Sequence, residues 1–152
     1  MPSLESILQA RGEWVGTSRL TDPPTGLDES SQTRLAIEPR LRNRFALIEY
    51  DWNFRGEPQQ GLLLIGHDGL GADVSALWSD TFHTGREVMA CDGQAAADGS
   101  ITLLGKYPAP PGPDWGWRIT LRSIDEGSLV VEMDNITPDG EESPAVRAEY
   151  KR

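Results

Sequence analysis

Turn-forming residues recur along this chain at intervals of about 13 to 15 residues, and that spacing limits what it can fold into. They fall at Pro23-Pro24-Thr25-Gly26, 39–43, Arg55-Gly56, 68–71, Thr84-Gly85, Asp98-Gly99, Pro110-Pro111-Gly112-Pro113, Glu126-Gly127 and Pro138-Asp139-Gly140. Glycine supplies positive φ, proline presets φ and Asp-Gly favours tight hairpins, so each is a link of hairpin length. Ten β-type runs lie between them: 14–21, 32–38, 44–53, 61–67, 73–82, 87–92, 100–107, 115–124, 129–136 and 145–151. They are not similar to one another, so the chain reads as a meander and not a sequence repeat. Several alternate with period two. Trp115, Trp117, Ile119 and Leu121 share one face, Arg118, Thr120 and Arg122 the other. Arg44, Ala46, Ile48, Tyr50 and Trp52 oppose Phe45, Leu47, Glu49 and Asp51, so both faces of that run are mixed.

Runs of roughly ten residues span about 30 Å, long for a sandwich. Long strands, short links and no crossover helices predict an all-β fold, an up-and-down antiparallel β-barrel of about ten strands. Closure also removes the edges that such strands would otherwise present. Helical spacing occurs only before Gly12. Ser3 is the expected N-cap, Leu4, Ile7 and Leu8 form an apolar stripe, Arg11 suits the last turn, and Gly12 stops the helix. Residues 1–152 contain no linker and read as a single domain.

The net charge of −10 disfavours phosphate backbones and anionic lipid, so neither nucleic acid nor a membrane is an expected partner. The longest strongly apolar run is Leu62-Leu63-Leu64-Ile65, far below a membrane span. The first residues lack the basic and apolar regions of a signal peptide. The only cysteine, Cys91, excludes an internal disulfide and a cysteine zinc cage. The expected compartment is the cytoplasm.

The chain resembles the calycins, the superfamily of lipocalins and fatty-acid-binding proteins, in which Gly-x-Trp opens the first strand beside a short helix that plugs the barrel. Gly12-Glu13-Trp14 stands in that place. It is more closely similar to a bacterial calycin family known only as a domain of unknown function. That likeness runs through Gly12-Glu13-Trp14-Val15-Gly16, the arginine-rich turn into Arg44-Phe45, Tyr50, Trp78-Ser79-Asp80-Thr81-Phe82-His83 and Tyr150-Lys151-Arg152. It implies the barrel and no particular activity. Nitrobindin-like haem proteins extend the opening motif with further glycines, where this chain has Ser18 and Leu20. That family also takes its haem ligand from a late strand, whereas His67 and His83 lie mid-chain. Haem is therefore not expected, nor any other cofactor.

Trp14 is expected as the core anchor of the closed end, with a late-strand arginine stacked on its indole: Arg147, the one assigned, or Arg152. The segment most suited to function is 78–83. Alternation puts Trp78, Asp80 and Phe82 on one face, and a carboxylate among aromatic rings requires a donor if that face is interior. Arg44, Arg118 or His83 could supply it. The plainer reading is that Asp80 and His83 lie at a strand end and cap the turn at Thr84-Gly85.

The leading functional expectation is a small, partly apolar ligand inside the barrel, with Trp52 and Trp78 as wall and Arg44, Tyr50, Asp80 and His83 as polar contacts. It requires an interior cavity of ligand size. A second is an isomerase or hydrolase using Asp80 and His83 as acid and base. A third is a filled barrel acting as a structural or interaction module, with a homodimer formed through its outer face. Cys91 reads as a small buried hydrophobe. His67, Asp68, Asp73 and His83 match no standard metal spacing, so no metal is expected. The stiff loop 108–113, followed by Trp115 and Trp117, could frame a cavity mouth; the plainer reading is a rigid link with both rings packed on the wall.

Overall fold

A computed structural model describes residues 4–67 and 69–152. One helix, α1 (Glu5–Gln9), precedes ten strands: β1 (Gly12–Asp22), β2 (Leu27–Arg40), β3 (Phe45–Phe54), β4 (Glu57–His67), β5 (Asp73–Asp80), β6 (Met89–Ala95), β7 (Ile101–Tyr107), β8 (Trp115–Asp125), β9 (Ser128–Ile136) and β10 (Glu142–Lys151). Each pairs antiparallel with its neighbours in sequence, and β1 pairs with β10, which closes the barrel. The fold class is the one the turn spacing implies, with every expected strand present.

Period-two alternation fills the interior. Ala46, Ile48 and Trp52 of β3 point inward with Leu63 and Ile65 of β4, Trp78 of β5, Leu103 of β7, and Trp117, Ile119 and Leu121 of β8. Outward positions carry ion pairs, such as Arg19 with Asp28 and Arg147 with Glu132 and Glu149.

One end of the barrel is sealed by α1. Ile7 is fully buried, with Leu4 and Ala10 beside it. Ser6 Oγ ties the helix to the β6–β7 turn by donating to the Gly99 carbonyl at 2.7 Å. Ser3, the expected N-cap, lies outside the described residues, and Arg11 falls beyond the last turn. The helix end is instead capped from the barrel: Trp14 Nε1 donates to the Ala10 carbonyl at 2.8 Å, and Arg152 Nη1 reaches the Ala10 and Arg11 carbonyls. These are among the carbonyls that a short helix leaves without internal partners.

The Arg152 guanidinium lies over the Trp14 ring, 4.3 Å from its centroid. This corrects the assignment of Arg147, which points outward between the inward Ala148 and the partly buried Val146. Arg152 shares the face of Ala148 and Tyr150, and so reaches the indole. We expect Arg152→Ala to lower unfolding free energy by about 1–2 kcal/mol, through the lost cation–π contact and carbonyl cap. Arg147→Ala should stay within about 0.5 kcal/mol, as for exposed ion pairs. Urea unfolding of the two variants checks the contrast.

Gly16 explains the second glycine of the opening motif. It pairs with Tyr150, and a Cβ there would sit 1.8 Å from the Glu149 carbonyl oxygen. Only glycine lets β10 approach β1 so closely where the barrel closes.

Candidate functional site

The end opposite α1 carries the β5–β6 link, and its organising residue is Asp80, the last residue of β5. The carboxylate is only 1% exposed. Oδ1 accepts from the backbone N–H groups of Phe82 (2.8 Å) and His83 (3.1 Å), a turn closed by its own aspartate. Oδ2 accepts from the Tyr50 hydroxyl (2.7 Å) and Trp52 Nε1 (3.2 Å). The strand-end, turn-capping reading of Asp80 describes Oδ1; Oδ2 does have interior donors, but none is among the side chains expected to supply them. Trp78 Nε1 completes the network by donating to the Tyr50 oxygen at 3.1 Å.

Tyr50 reaches Asp80 by crossing a strand. Tyr50 pairs with Gly61, and Gly61 pairs with Asp80. The phenol ring occupies the space a Cβ on Gly61 would take, with Cζ only 1.9 Å from that position. Burial and the neighbouring carboxylate hold the Tyr50 hydroxyl well above its ordinary pKa, so it stays a donor.

The link itself is tightly tied. Thr84 Oγ1 accepts from the Asp80 amide (2.9 Å), Ser79 Oγ donates to the Glu87 carbonyl (2.8 Å), and the Thr81 amide donates to the Gln60 carbonyl (2.9 Å). This holds His83 over the barrel mouth. Its ring centroid lies 5.1 Å from that of Trp117, 5.8 Å from Trp78 and 6.0 Å from Trp52. Beneath it the interior is filled. A void of about 30 Å³ remains among Leu35, Ile48, Leu63, Leu121 and Tyr150, reaching up to Asp80 and His83. That is room for a water or so, so the interior space found there among the described residues is far short of the ligand-sized cavity expected from the sequence. Outside His83 lies a cleft of about 360 Å³, lined chiefly by Trp78, His83, Glu87, Tyr107, Trp117 and Asn135.

Five of the six expected contacts thus assemble: Tyr50, Trp52, Trp78, Asp80 and His83. Arg44 does not. It lies exposed in the β2–β3 turn at the α1 end, beside Leu4, Glu5 and Leu8. The reason is local: Leu41, Arg42 and Asn43 all have positive φ, and the strand begins only at Phe45. Arg118 faces outward to Glu142 (2.6 Å) and Asp134 (3.8 Å). All four donors to Asp80 are neutral, and His83 contributes its backbone rather than its ring. Phe82 is 40% exposed, although alternation put it with Asp80, because β5 ends before it. Tyr107 and Asn135 were not expected at a site, and Trp117 only in the less favoured reading of its loop as the frame of a cavity mouth. Tyr107 donates to Asn135 Oδ1 at 2.5 Å, and Trp117 is paired with Asn135 across β8 and β9.

Burial depresses the His83 pKa below the ordinary value of 6.5, with the Asp80 charge opposing. The folded state thus favours neutral imidazole. Above pH 6.5 neither folded nor unfolded chain binds the proton. As pH falls through that value the unfolded chain binds it first, so stability is lost until the folded-state pKa is passed. Urea unfolding between pH 7.5 and 5.5 should show this loss, and His83→Gln should flatten it.

Burial, with the charge of Asp92 behind it, pushes the Cys91 thiol up to about 11, which removes it as a nucleophile near neutrality. His67 is engaged in its own loop, accepting at Nδ1 from the Gly69 amide at 2.8 Å. Asp68 lies outside the described residues. No helix among the described residues is long and apolar enough to cross a membrane.

A family model described as "Protein of unknown function (DUF1579)" matches residues 4–152. Among solved structures, Rv2717c from M. tuberculosis superposes with a TM-score of 0.64 at 14% identity, covering 100% of this chain and 98% of that one. At that identity the likeness concerns the fold. No curated protein matches the chain.

Proposed function

We propose, from the premise that the chain belongs to the DUF1579 family of proteins of unknown function, that it binds a small, partly apolar molecule at the barrel end opposite α1. The observation that carries this is the cleft of about 360 Å³ whose floor is His83 and whose walls are Trp78, Trp117 and Tyr107. A concave surface in which aromatic rings stand beside convergent polar groups, here Thr84, Glu87, Lys106 and Asn135, is a form that small-molecule sites take. Trp78 and His83 are the direct contacts, and Tyr50, Trp52 and Asp80 hold them in place. The closed barrel with one helix-sealed end supports grouping the fold with the calycins, many of which carry small ligands. That support is by analogy of fold. A cytoplasmic setting is part of the proposal, supported by the lone reduced cysteine.

The acid–base reading has less support. Both Asp80 oxygens are occupied by donors, and its contact with His83 runs through the backbone. Native mass spectrometry of freshly purified protein tests the binding proposal. A retained non-protein mass that is released on denaturation, and is lost in Trp78→Ala, supports it. Bare protein that also takes up nothing from a library of small aromatic and aliphatic compounds sinks it.

A second reading, a homodimer through the outer barrel face, is favoured by one feature. Leu47, Leu64, Leu77 and Ala90 lie opposite one another across β3, β4, β5 and β6. Leu62 flanks the row, and Leu62 and Leu77 are 43% and 48% exposed. Such an apolar stripe on an acidic protein fits a partner surface. Sedimentation equilibrium tests it: a monomer at all accessible concentrations removes this reading.

A further inference from the structure

The chain has four buried tryptophans, and three have their indole N–H satisfied. Trp14 donates to the Ala10 carbonyl, Trp52 to Asp80 and Trp78 to the Tyr50 oxygen. Trp117 is the exception: its Nε1 is buried and has no protein partner. The other buried side-chain nitrogen or oxygen without a partner, among the described residues, is His83 Nε2. The two rings are 5.1 Å apart and line the same cleft. Two unpaired polar atoms on adjoining rings, where the other buried side-chain nitrogens and oxygens of the described residues are paired, mark a position for a ligand atom.

We infer that the cleft takes an uncharged planar ring bearing a hydroxyl group, a phenol or its close kin, with the hydroxyl oxygen between Trp117 Nε1 and His83 Nε2. The inference rests on the proposal that the cleft is a ligand site, and it names the class of ligand. An indole N–H only donates, so the ligand atom must accept. An ammonium cannot accept and is excluded. A carboxylate can, but it would bring a second negative charge to a cleft that already carries Glu87. Lys106 also lines the cleft but is exposed, and its ammonium stays with solvent. Neutral imidazole Nε2 either accepts or donates according to its tautomer. A hydroxyl satisfies it in both cases while still accepting from Trp117. The body of the ligand is set by the walls. Trp78 and Trp117 stack with centroids 5.3 Å apart and planes 12° from parallel, and Tyr107 meets Trp117 edge-on at 6.5 Å. Trp78 and Trp117 are 1% and 4% exposed, so a ligand meets this aromatic cluster at its margin, where a planar ring still packs well beside the rings.

The test compares 4-ethylphenol, 4-ethylanisole and ethylbenzene, three probes of similar shape. They are titrated into the full chain and followed through the indole N–H resonances in a ¹H–¹⁵N spectrum, with Trp117 assigned from Trp117→Phe. The expected result is that 4-ethylphenol binds about tenfold more tightly than ethylbenzene, the equivalent of one net hydrogen bond, and moves the Trp117 indole resonance downfield. The anisole, which accepts but cannot donate, falls at or below the phenol. Trp117→Phe should reduce the advantage of the phenol over the hydrocarbon several-fold, leaving only the His83 contact. Equal affinity of phenol and ethylbenzene for the unmodified protein overturns the inference and leaves the cleft as an apolar binding site. A phenol preference that is undiminished in Trp117→Phe also overturns it. If none of the probes disturbs any resonance of the cleft, the proposed binding function falls with it. The comparison on unmodified protein stands even where a variant does not fold.

Discussion

Asp80→Ala is expected to destabilise the protein by about 3–5 kcal/mol, among the largest losses available to one side-chain substitution in this chain. Four donors converge on the carboxylate: the Tyr50 hydroxyl, Trp52 Nε1 and the amides of Phe82 and His83. Each buried donor left unpaired costs roughly 1–3 kcal/mol, and the sum is reduced because the anion itself was costly to bury without a cation. Asp80→Asn keeps the volume and one acceptor but turns an NH₂ group toward two donors, so about half of that loss should remain. Urea and thermal unfolding check both variants, and the alanine change should lower Tm by about 10 °C. A loss below about 1 kcal/mol for Asp80→Ala would show that the donors find other partners and that the network does not hold the barrel mouth.

Gly61→Ala should cost about 2–3 kcal/mol although it adds a single methyl group. That methyl would stand 1.9 Å from Tyr50 Cζ and 2.2 Å from the phenol oxygen. Tyr50 must then move, and the hydrogen bonds it shares with Asp80 and Trp78 are lost or stretched. The signature is non-additivity. In a Tyr50→Ala background the space is vacant, and alanine at 61 should be neutral or mildly stabilising, because glycine in a strand is itself unfavourable. A double-mutant cycle should therefore give a coupling of at least about 1 kcal/mol. Additive effects would mean that Tyr50 is not held across Gly61 in solution.

How far the sequence could be read follows from what each inference needed. Strands and turns required only local patterns, such as Asp98-Gly99 between two alternating runs, and those patterns appear in the fold as ten strands. The choice between Arg147 and Arg152 was open to the same logic. Even-numbered residues of β10 face inward at Ala148 and Tyr150, so Arg152, and not Arg147, lies in line with the core. Arg44 had the right parity for an inward residue. It failed because three left-handed residues before it delay the start of β3, and nothing in Leu41-Arg42-Asn43 forces that backbone. The segment 78–83 stood out because a carboxylate among aromatic residues is unusual. Its partners Tyr107, Trp117 and Asn135 come from three different strands, and only inter-strand register brings them together. Register was also what hid the path from Tyr50 over Gly61 to Asp80. The interior cavity was an expectation from barrel size alone, and the volume of the inward tryptophans and leucines decided otherwise.

The pairing of β1 with β10 also governs how the chain must fold. Residues 15 and 151 face each other across that seam, so its contacts join segments far apart in the sequence and carry the largest loop-closure cost of any pairing in the barrel. Nine of the hairpin pairings are local and can assemble as the polypeptide emerges, but the seam cannot. Until β10 arrives, β1 presents an unpaired edge, Trp14 lacks the guanidinium that covers it, and α1 lacks one of its carbonyl caps. An incomplete chain is thus an open, curled sheet with a sticky margin, prone to join its neighbours rather than itself. Pairing of β10 with β1 removes that edge and closes the barrel.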